Sequence, residues 1–175
     1  MNNGFISMTE NIFLGIGSNK GDRLQYLKNA VQEIKLATDT VLEKASSVYE
    51  SEPYGHKEQN NFYNAVLKIK SSRSFNSFCP WIKELEKKIG RIPGEKWGPR
   101  EIDIDLIFFD DLVYNDGCLI VPHKEIMLRD FVLMPMIEIA PDFIHPVEKI
   151  KMKDVELDKI EKLIFKKVDT NLLNS

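Results

Sequence analysis

The 175-residue sequence predicts one α+β domain with the element order β-α-β-β-α-β. Three observations carry that prediction. Two stretches repeat apolar residues at helical spacing, and the segments around them alternate or run apolar as strands do. Two of those strands follow one another across a short, turn-prone stretch, which favours antiparallel pairing. No internal repeat or low-complexity tract interrupts this plan.

"NIFLGIGSN", Asn11 to Asn19, reads as a strand ending in small residues. From Lys20 to Ala37, Leu24, Leu27, Val31 and Ile34 fall on one helical face, with Asp22 near the helix N-terminus, where its charge is favourable. "VLEKASSVYESEPYG" and "NFYNAVLKIKS" then read as two long strands, antiparallel neighbours on either side of the polar "GHKEQN". A second helix places Phe78, Ile82, Leu85 and Ile89 on one face and stops at Gly90. Pro80 requires that helix either to start near Ser77, leaving the proline in the tolerant first turn, or to kink. "EIDIDLIFFDD" completes a ferredoxin-like βαββαβ core with an antiparallel sheet. The expected division is an N-terminal extension over 1–11, the folded domain over 12–146, and a C-terminal tail over 147–175 docked on it. That tail, with "KDVELDKIEKLIFKK", reads as a charged amphipathic helix or a loosely docked segment.

Composition narrows the function classes. With 24 basic and 27 acidic side chains the net charge is −3, so no overall basic field favours nucleic acid or an acidic membrane surface. Cys79 and Cys118 lie far apart without metal-ligand spacing, as expected of free thiols in a reducing, cytoplasmic setting. No apolar run reaches the roughly 18 residues of a membrane span. The opening "MNNGFISMTEN" has neither the basic nor the apolar part of a secretory signal and reads as a loose extension, with Met8 an alternative start.

The segment "WGPREIDIDLIFFDD", Trp97 to Asp111, carries the chemistry. Leu106 to Phe109 is an unbroken apolar run suited to a strand covered on both faces. Before it, Ile102, Ile104 and Leu106 point one way and Asp103 and Asp105 the other. Two residues of strand set the aspartate Cα atoms about 6.6 Å apart, where an effective dielectric of about 20 gives roughly 2.5 kcal/mol of repulsion between bare carboxylates. A hard divalent cation removes that penalty, and two Mg²⁺ ions are a common clamp in phosphoryl transfer. Solvated aspartates on an exposed strand face are the competing reading, although aspartate is depleted in strands. Arg91, Lys96 and Arg100 precede the pair, and His123, Lys124 and Arg129 follow in "VPHKEIMLRDF", bracketing it with cations suited to a metal-bound polyphosphate.

Two further features bear on ligands. Phe62 and Asn64 share a strand face, setting an aromatic platform beside an amide that both donates and accepts, as a flat heterocycle requires; a core phenylalanine beside a capping asparagine fits equally. Gly15-x-Gly17 is a poor match to a dinucleotide loop because the next glycine is Gly21, one place late, and Gly17, Ser18 and Asn19 read instead as a strand-to-helix turn. His56 and His145 have no ligand spacing.

The ordered set "GSNKGDRLQYL", "VYESEPYG", "NFYNAV", "ELEKKIGR", "WGPREIDIDLI" and "VPHKEIMLRDFVLMPMIEIAP" resembles the 6-hydroxymethyl-7,8-dihydropterin pyrophosphokinases of folate biosynthesis, from Ile12 to Pro146. The resemblance implies a ferredoxin-like core with mobile catalytic loops, ATP as co-substrate, and transfer of pyrophosphate to the pterin hydroxymethyl group. It implies that Asp103 and Asp105 hold two Mg²⁺ ions and that Arg91 and Arg100 are movable catalytic cations, with Trp97 in the same loops. Glu86, Leu106, His123, Lys124 and Arg129 fall at ATP-contacting positions, and Ser51, Tyr54, Phe62, Asn64 and Phe131 at pterin-contacting ones, with the two phenylalanines sandwiching the ring. It further implies a functional link to dihydropteroate synthase. The chain departs from the family pattern at Lys96 and Lys124, where arginine and tyrosine are frequent, and at Cys118, where some members have arginine. Some members also have tyrosine at Phe62, and the loop "IPGEK" is short and carries few cations. Two other classes share these features: a non-catalytic ferredoxin-like ligand-binding module, and a metal-dependent nuclease, against which the charge argues.

Overall fold

A computed structural model describes residues 8–55, 57–95 and 97–173 of the chain. The elements run β1 (Thr9–Ser18), α1 (Arg23–Leu36), β2 (Thr40–Ala45), β3 (Val48–Ser51), β4 (Phe62–Ser71), α2 (Phe75–Ile89), β5 (Asp103–Phe109), β6 (Tyr114–Asn115), β7 (Ile120–Val121), α3 (Asp130–Ile139) and β8 (Ile164–Val168). The main sheet has the order β5-β1-β4-β3-β8, with β2 also paired to β4, and every pairing in it is antiparallel. This is the ferredoxin-like order with an added edge strand.

Both faces of the sheet are covered. One carries α1 and α2 over Ile12, Leu14, Ile16, Leu67, Ile69, Ile102, Ile104 and Leu106; the other carries α3 and the C-terminal segment over Phe13, Val66, Ile107 and Phe108. The apolar run in β5 serves both faces because its pairing with β1 skips a residue. Leu106 lies opposite Leu14 and Phe108 opposite Phe13, so Ile107 is extra and points with Phe108 toward α3.

Several expectations change in the folded chain. The single long strand over 41–55 is two short ones broken at Ser46–Ser47, and Pro53, Tyr54 and Gly55 lie in a loop. The Ser46 hydroxyl accepts from the Val66 N–H at 2.9 Å, which satisfies the ladder where the strand is interrupted. Helix α2 begins at Phe75, so Pro80 sits in the second turn rather than the first. Its missing N–H leaves the Asn76 carbonyl without the usual helical donor. Gly17 and Ser18 are still inside β1, and the turn to α1 begins at Asn19, with the Asp22 carboxylate capping the Gln25 N–H at 3.0 Å. β1 also takes in Thr9 and Glu10, which the sequence assigns to the extension alone; residues 1–7 lie outside the described residues, as do His56 and Lys96.

The tail is not a helix. After two 3-10 turns, Met152–Asp154 and Leu157–Lys159, it forms β8 along β3, and Leu172 is buried in the helix-side core. "LIFKK" alternates too briefly to override the helical pattern of the charges before it, so a partner strand distant in sequence decides its state.

Candidate active site

The C-terminal end of β1 and the N-terminal end of β5 meet at a cleft of about 330 Å³ on the α3 face of the sheet. Asp103 and Asp105 enter it from β5, opposite Gly17 and Gly15 of β1. Those two glycines are the floor. A Cβ on Gly17 would lie 2.9 Å from Asn64 Oδ1 and push that amide aside, whereas one on Gly15 would only make ordinary contact with Ile107 at 3.4 Å, so the close approach to Asn64 is what calls for glycine at 17. The sequence reading missed this role because a glycine in a strand and one in a turn look alike without the pairing.

On one side of the cleft lie Ser51, Phe62 and Asn64 from β3 and β4, and facing them are Arg129 and Phe131 at the start of α3. The Asn64 amide donates to Ser51 Oγ at 2.9 Å, which leaves its carbonyl oxygen directed over Gly17. Tyr54 lies across the Arg129 guanidinium at 3.6 Å and near Trp97, ring centroids 6.3 Å apart. Arg129 is also paired with Glu125 at 2.6 Å. Trp97, Arg100, His123 and Lys124 complete the wall on the loop side.

The carboxylates differ in their partners. Asp103 is gripped by Arg91, at 2.7 Å, and by Arg100. Asp105 opens toward the cleft, where solvent reaches it although protein surrounds it on most sides. That environment, then the charge of Asp103, pushes its carboxyl up to about 7. Burial lowers the His123 imidazole below its usual range, opposed by Glu125 and reinforced by Arg129 and Lys124, which favours the neutral ring. Its Nδ1 accepts the Glu125 N–H at 3.4 Å, which puts the ring proton on Nε2.

Three residues assigned by resemblance do not line the cleft. Glu86 is buried on α2, where Oε1 accepts the Ile104 N–H at 2.7 Å and binds Arg91, and Oε2 pairs with Lys83 at 3.1 Å. Arg91 stands behind Asp103, tied to both carboxylates. Leu106 is packed in the helix-side core.

The loops are joined by residues the sequence reading did not single out for this. Asn19 is fully buried; its Nδ2 donates to Gln59 Oε1 at 3.0 Å and to the Asn60 carbonyl at 3.1 Å, and its Oδ1 accepts the Arg100 N–H at 2.7 Å. Gln59 in turn donates to the Trp97 carbonyl at 3.2 Å. Glu101 is buried against Lys20 at 2.6 Å; burial alone would raise its carboxyl, but Lys20 and the N–H groups of Glu101 and Ile92 hold it below the usual range.

The carboxylate pair offers hard oxygen donors. Among the described residues no third His, Cys, Asp or Glu joins it in a metal-holding cluster, so a cation there would complete its shell with substrate oxygens and water. That is the donor set Mg²⁺ takes in phosphate chemistry.

Comparison with known proteins identifies the family. Residues 13–141 match the family model of 7,8-dihydro-6-hydroxymethylpterin-pyrophosphokinase. The chain is 43% identical over 143 residues to an Aquifex aeolicus 2-amino-4-hydroxy-6-hydroxymethyldihydropteridine pyrophosphokinase, covering 82% of this chain and 88% of that one. It is 38% identical over 133 residues to the Synechocystis protein of the same name, covering 76% and 68%. A crystal structure of Plasmodium falciparum HPPK-DHPS superposes with a TM-score of 0.68 at 14% identity, over 87% of this chain and 44% of that chain, and so supports the fold. By the extent of the family match and the identity to full-length relatives, the chain belongs to the 7,8-dihydro-6-hydroxymethylpterin-pyrophosphokinase family.

Proposed function

We propose that this protein transfers pyrophosphate from ATP to the hydroxymethyl group of 6-hydroxymethyl-7,8-dihydropterin, giving AMP and the pterin diphosphate for folate synthesis. The observation that carries the reading is the juxtaposition in one cleft of an aromatic and amide subsite, Phe62, Phe131, Asn64 and Ser51, with the Asp103–Asp105 pair and Arg100, Arg91 standing just behind Asp103.

The pterin ring lies between Phe62 and Phe131, and its amide edge meets Asn64, whose bond to Ser51 fixes the side-chain amide and leaves its carbonyl oxygen and second N–H as acceptor and donor. This sets the hydroxymethyl group toward Asp103 and Asp105. Asp103 and Asp105 would hold the two Mg²⁺ ions, which when bound would supply charge neutralisation of the polyphosphate and activation of the hydroxyl. Arg91 and Arg100 exchange Asp103 for phosphate oxygens, which requires the 91–101 loop to shift and leaves their charge where AMP departs. Glu86 holds Arg91 near its target throughout. Neutral His123 offers an Nε2–H to a phosphate oxygen, and Lys124 and Arg129 add charge along the same wall. No protein nucleophile is needed; positioning and electrostatics carry the step. The reading includes a cytoplasmic setting, which the free cysteines Cys79 and Cys118 suit, and a functional link to dihydropteroate synthase; among the described residues no helix is long and apolar enough to cross a membrane.

Phosphorus NMR of protein, ATP, Mg²⁺ and 6-hydroxymethyl-7,8-dihydropterin tests the reading. AMP and a pterin diphosphate should appear in equal amounts. ADP with a pterin monophosphate would refute attack at the β-phosphorus.

A further inference from the structure

The C-terminal segment lies outside the matched 13–141 region, yet it crosses the back of the ligand cleft. Its residues 161–164 touch both walls. On one side the Glu52 N–H donates to the Leu163 carbonyl at 3.0 Å, and Ile164 pairs with Ser51 at the end of β3. On the other, the Glu161 N–H donates to the Leu128 carbonyl at 3.2 Å, and the Asp130 N–H to the Glu161 carbonyl at 3.3 Å. Ser51 and Glu52 line the cleft from the first wall, and Arg129 and Phe131 from the second.

Asp130 fastens the crossing. Its side chain is buried, and Oδ2 accepts the N–H groups of both Leu163 and Ile164 at 2.9 Å. Oδ1 is buried too and has no hydrogen-bond partner among the described residues, so the carboxylate's desolvation is offset mainly by this strap. Asp130 is also the first residue of α3, where a negative charge is favoured, and it stands between the two residues of that wall that face the ligand.

We infer that Asp130 is a positioning residue, and residues 161–164 a strap, that together set the spacing between the Ser51 wall and the Phe131 wall and so the affinity for the pterin. This rests on the pterin assignment proposed above. A ring sandwiched between walls on different elements is sensitive to their separation, because stacking contacts fall away within a fraction of an ångström. Most of the polyphosphate end stands on β5 and the 91–101 loop; of the cations proposed for it, only Arg129, bridged to Glu161, adjoins the strap. Loosening the strap therefore weakens pterin binding ahead of ATP binding.

The test uses full-length Asp130→Ala and Asp130→Asn, with Leu172→Ala as a variant that loosens the tail's core contact downstream of the strap. Three quantities are read: hydrogen exchange at the Glu52 and Ile164 amides, the KM for 6-hydroxymethyl-7,8-dihydropterin, and the KM for MgATP. Asp130→Ala should speed both exchanges and raise the pterin KM about tenfold, with the ATP KM within twofold. Asp130→Asn, which keeps an acceptor oxygen, should fall between and serves if the alanine variant does not fold. Leu172→Ala should lower the melting temperature with both KM values unchanged. Unchanged exchange at Glu52 overturns the strap, and faster exchange with an unmoved pterin KM, or with equal losses for both substrates, overturns the positioning role. A wild-type protein that makes no AMP would overturn the functional reading instead, while the exchange measurement still reports on the strap.

Discussion

Asp105→Asn should abolish most turnover and at the same time stabilise the ligand-free protein above neutral pH. In the wild type the Asp105 carboxyl is pushed up to about 7 by its surroundings and by Asp103. Between the unfolded carboxyl range near pH 4 and pH 7 the native state therefore holds a proton that the unfolded chain releases, and stability falls as pH rises through that window. Asparagine has no such titration. The Coulomb bound of roughly 2.5 kcal/mol for the aspartate pair is reduced because Arg91 and Arg100 already answer Asp103 and because solvent reaches Asp105. About 1 kcal/mol remains, which is about 2–4 °C in melting temperature for a chain of this size. Thermal denaturation without Mg²⁺ should show the variant ahead by that much at pH 8 and level with wild type at pH 4.5. Adding Mg²⁺ and a nonhydrolysable ATP analogue should reverse the order, since only the wild type gains the full ligand linkage, about 2.7 kcal/mol at a hundred times Kd. A variant less stable than wild type at pH 8, or an advantage independent of pH, would refute the electrostatic account; near-normal turnover would refute the metal assignment.

Asn64→Ala should weaken pterin binding by about 1–3 kcal/mol, the loss expected when buried polar partners go unmatched, with little change for ATP; calorimetry on each ligand checks this. Gly17→Ala places a methyl group 2.9 Å from Asn64 Oδ1, so it should raise the pterin KM in the same direction while the protein stays folded by circular dichroism. Equal losses for ATP and pterin in either variant would mean that the two subsites are not separate.

Much of the core was legible because local periodicity is a local property. Leu24, Leu27, Val31 and Ile34 mark α1 without reference to anything else, and the alternation in "EIDIDL" alone puts Asp103 and Asp105 on one face. The site residues that the family motifs pointed to, apart from Glu86, Arg91 and Leu106, line one cleft. The remaining features depend on pairs far apart in sequence. Gly15 and Gly17 become a floor only because β1 lies between β4 and β5, and Asn19 becomes a joint only because Gln59 and Arg100 arrive beside it. Asp103 is committed to two arginines by the return of a loop, and the tail, helical by its own pattern, becomes a strand because the edge of β3 and the Asp130 carboxylate supply partners for its backbone. Side-chain periodicity fixes which face a residue takes, but backbone hydrogen bonds and buried charges must be satisfied by whatever the fold brings near, and only the tertiary structure decides what that is.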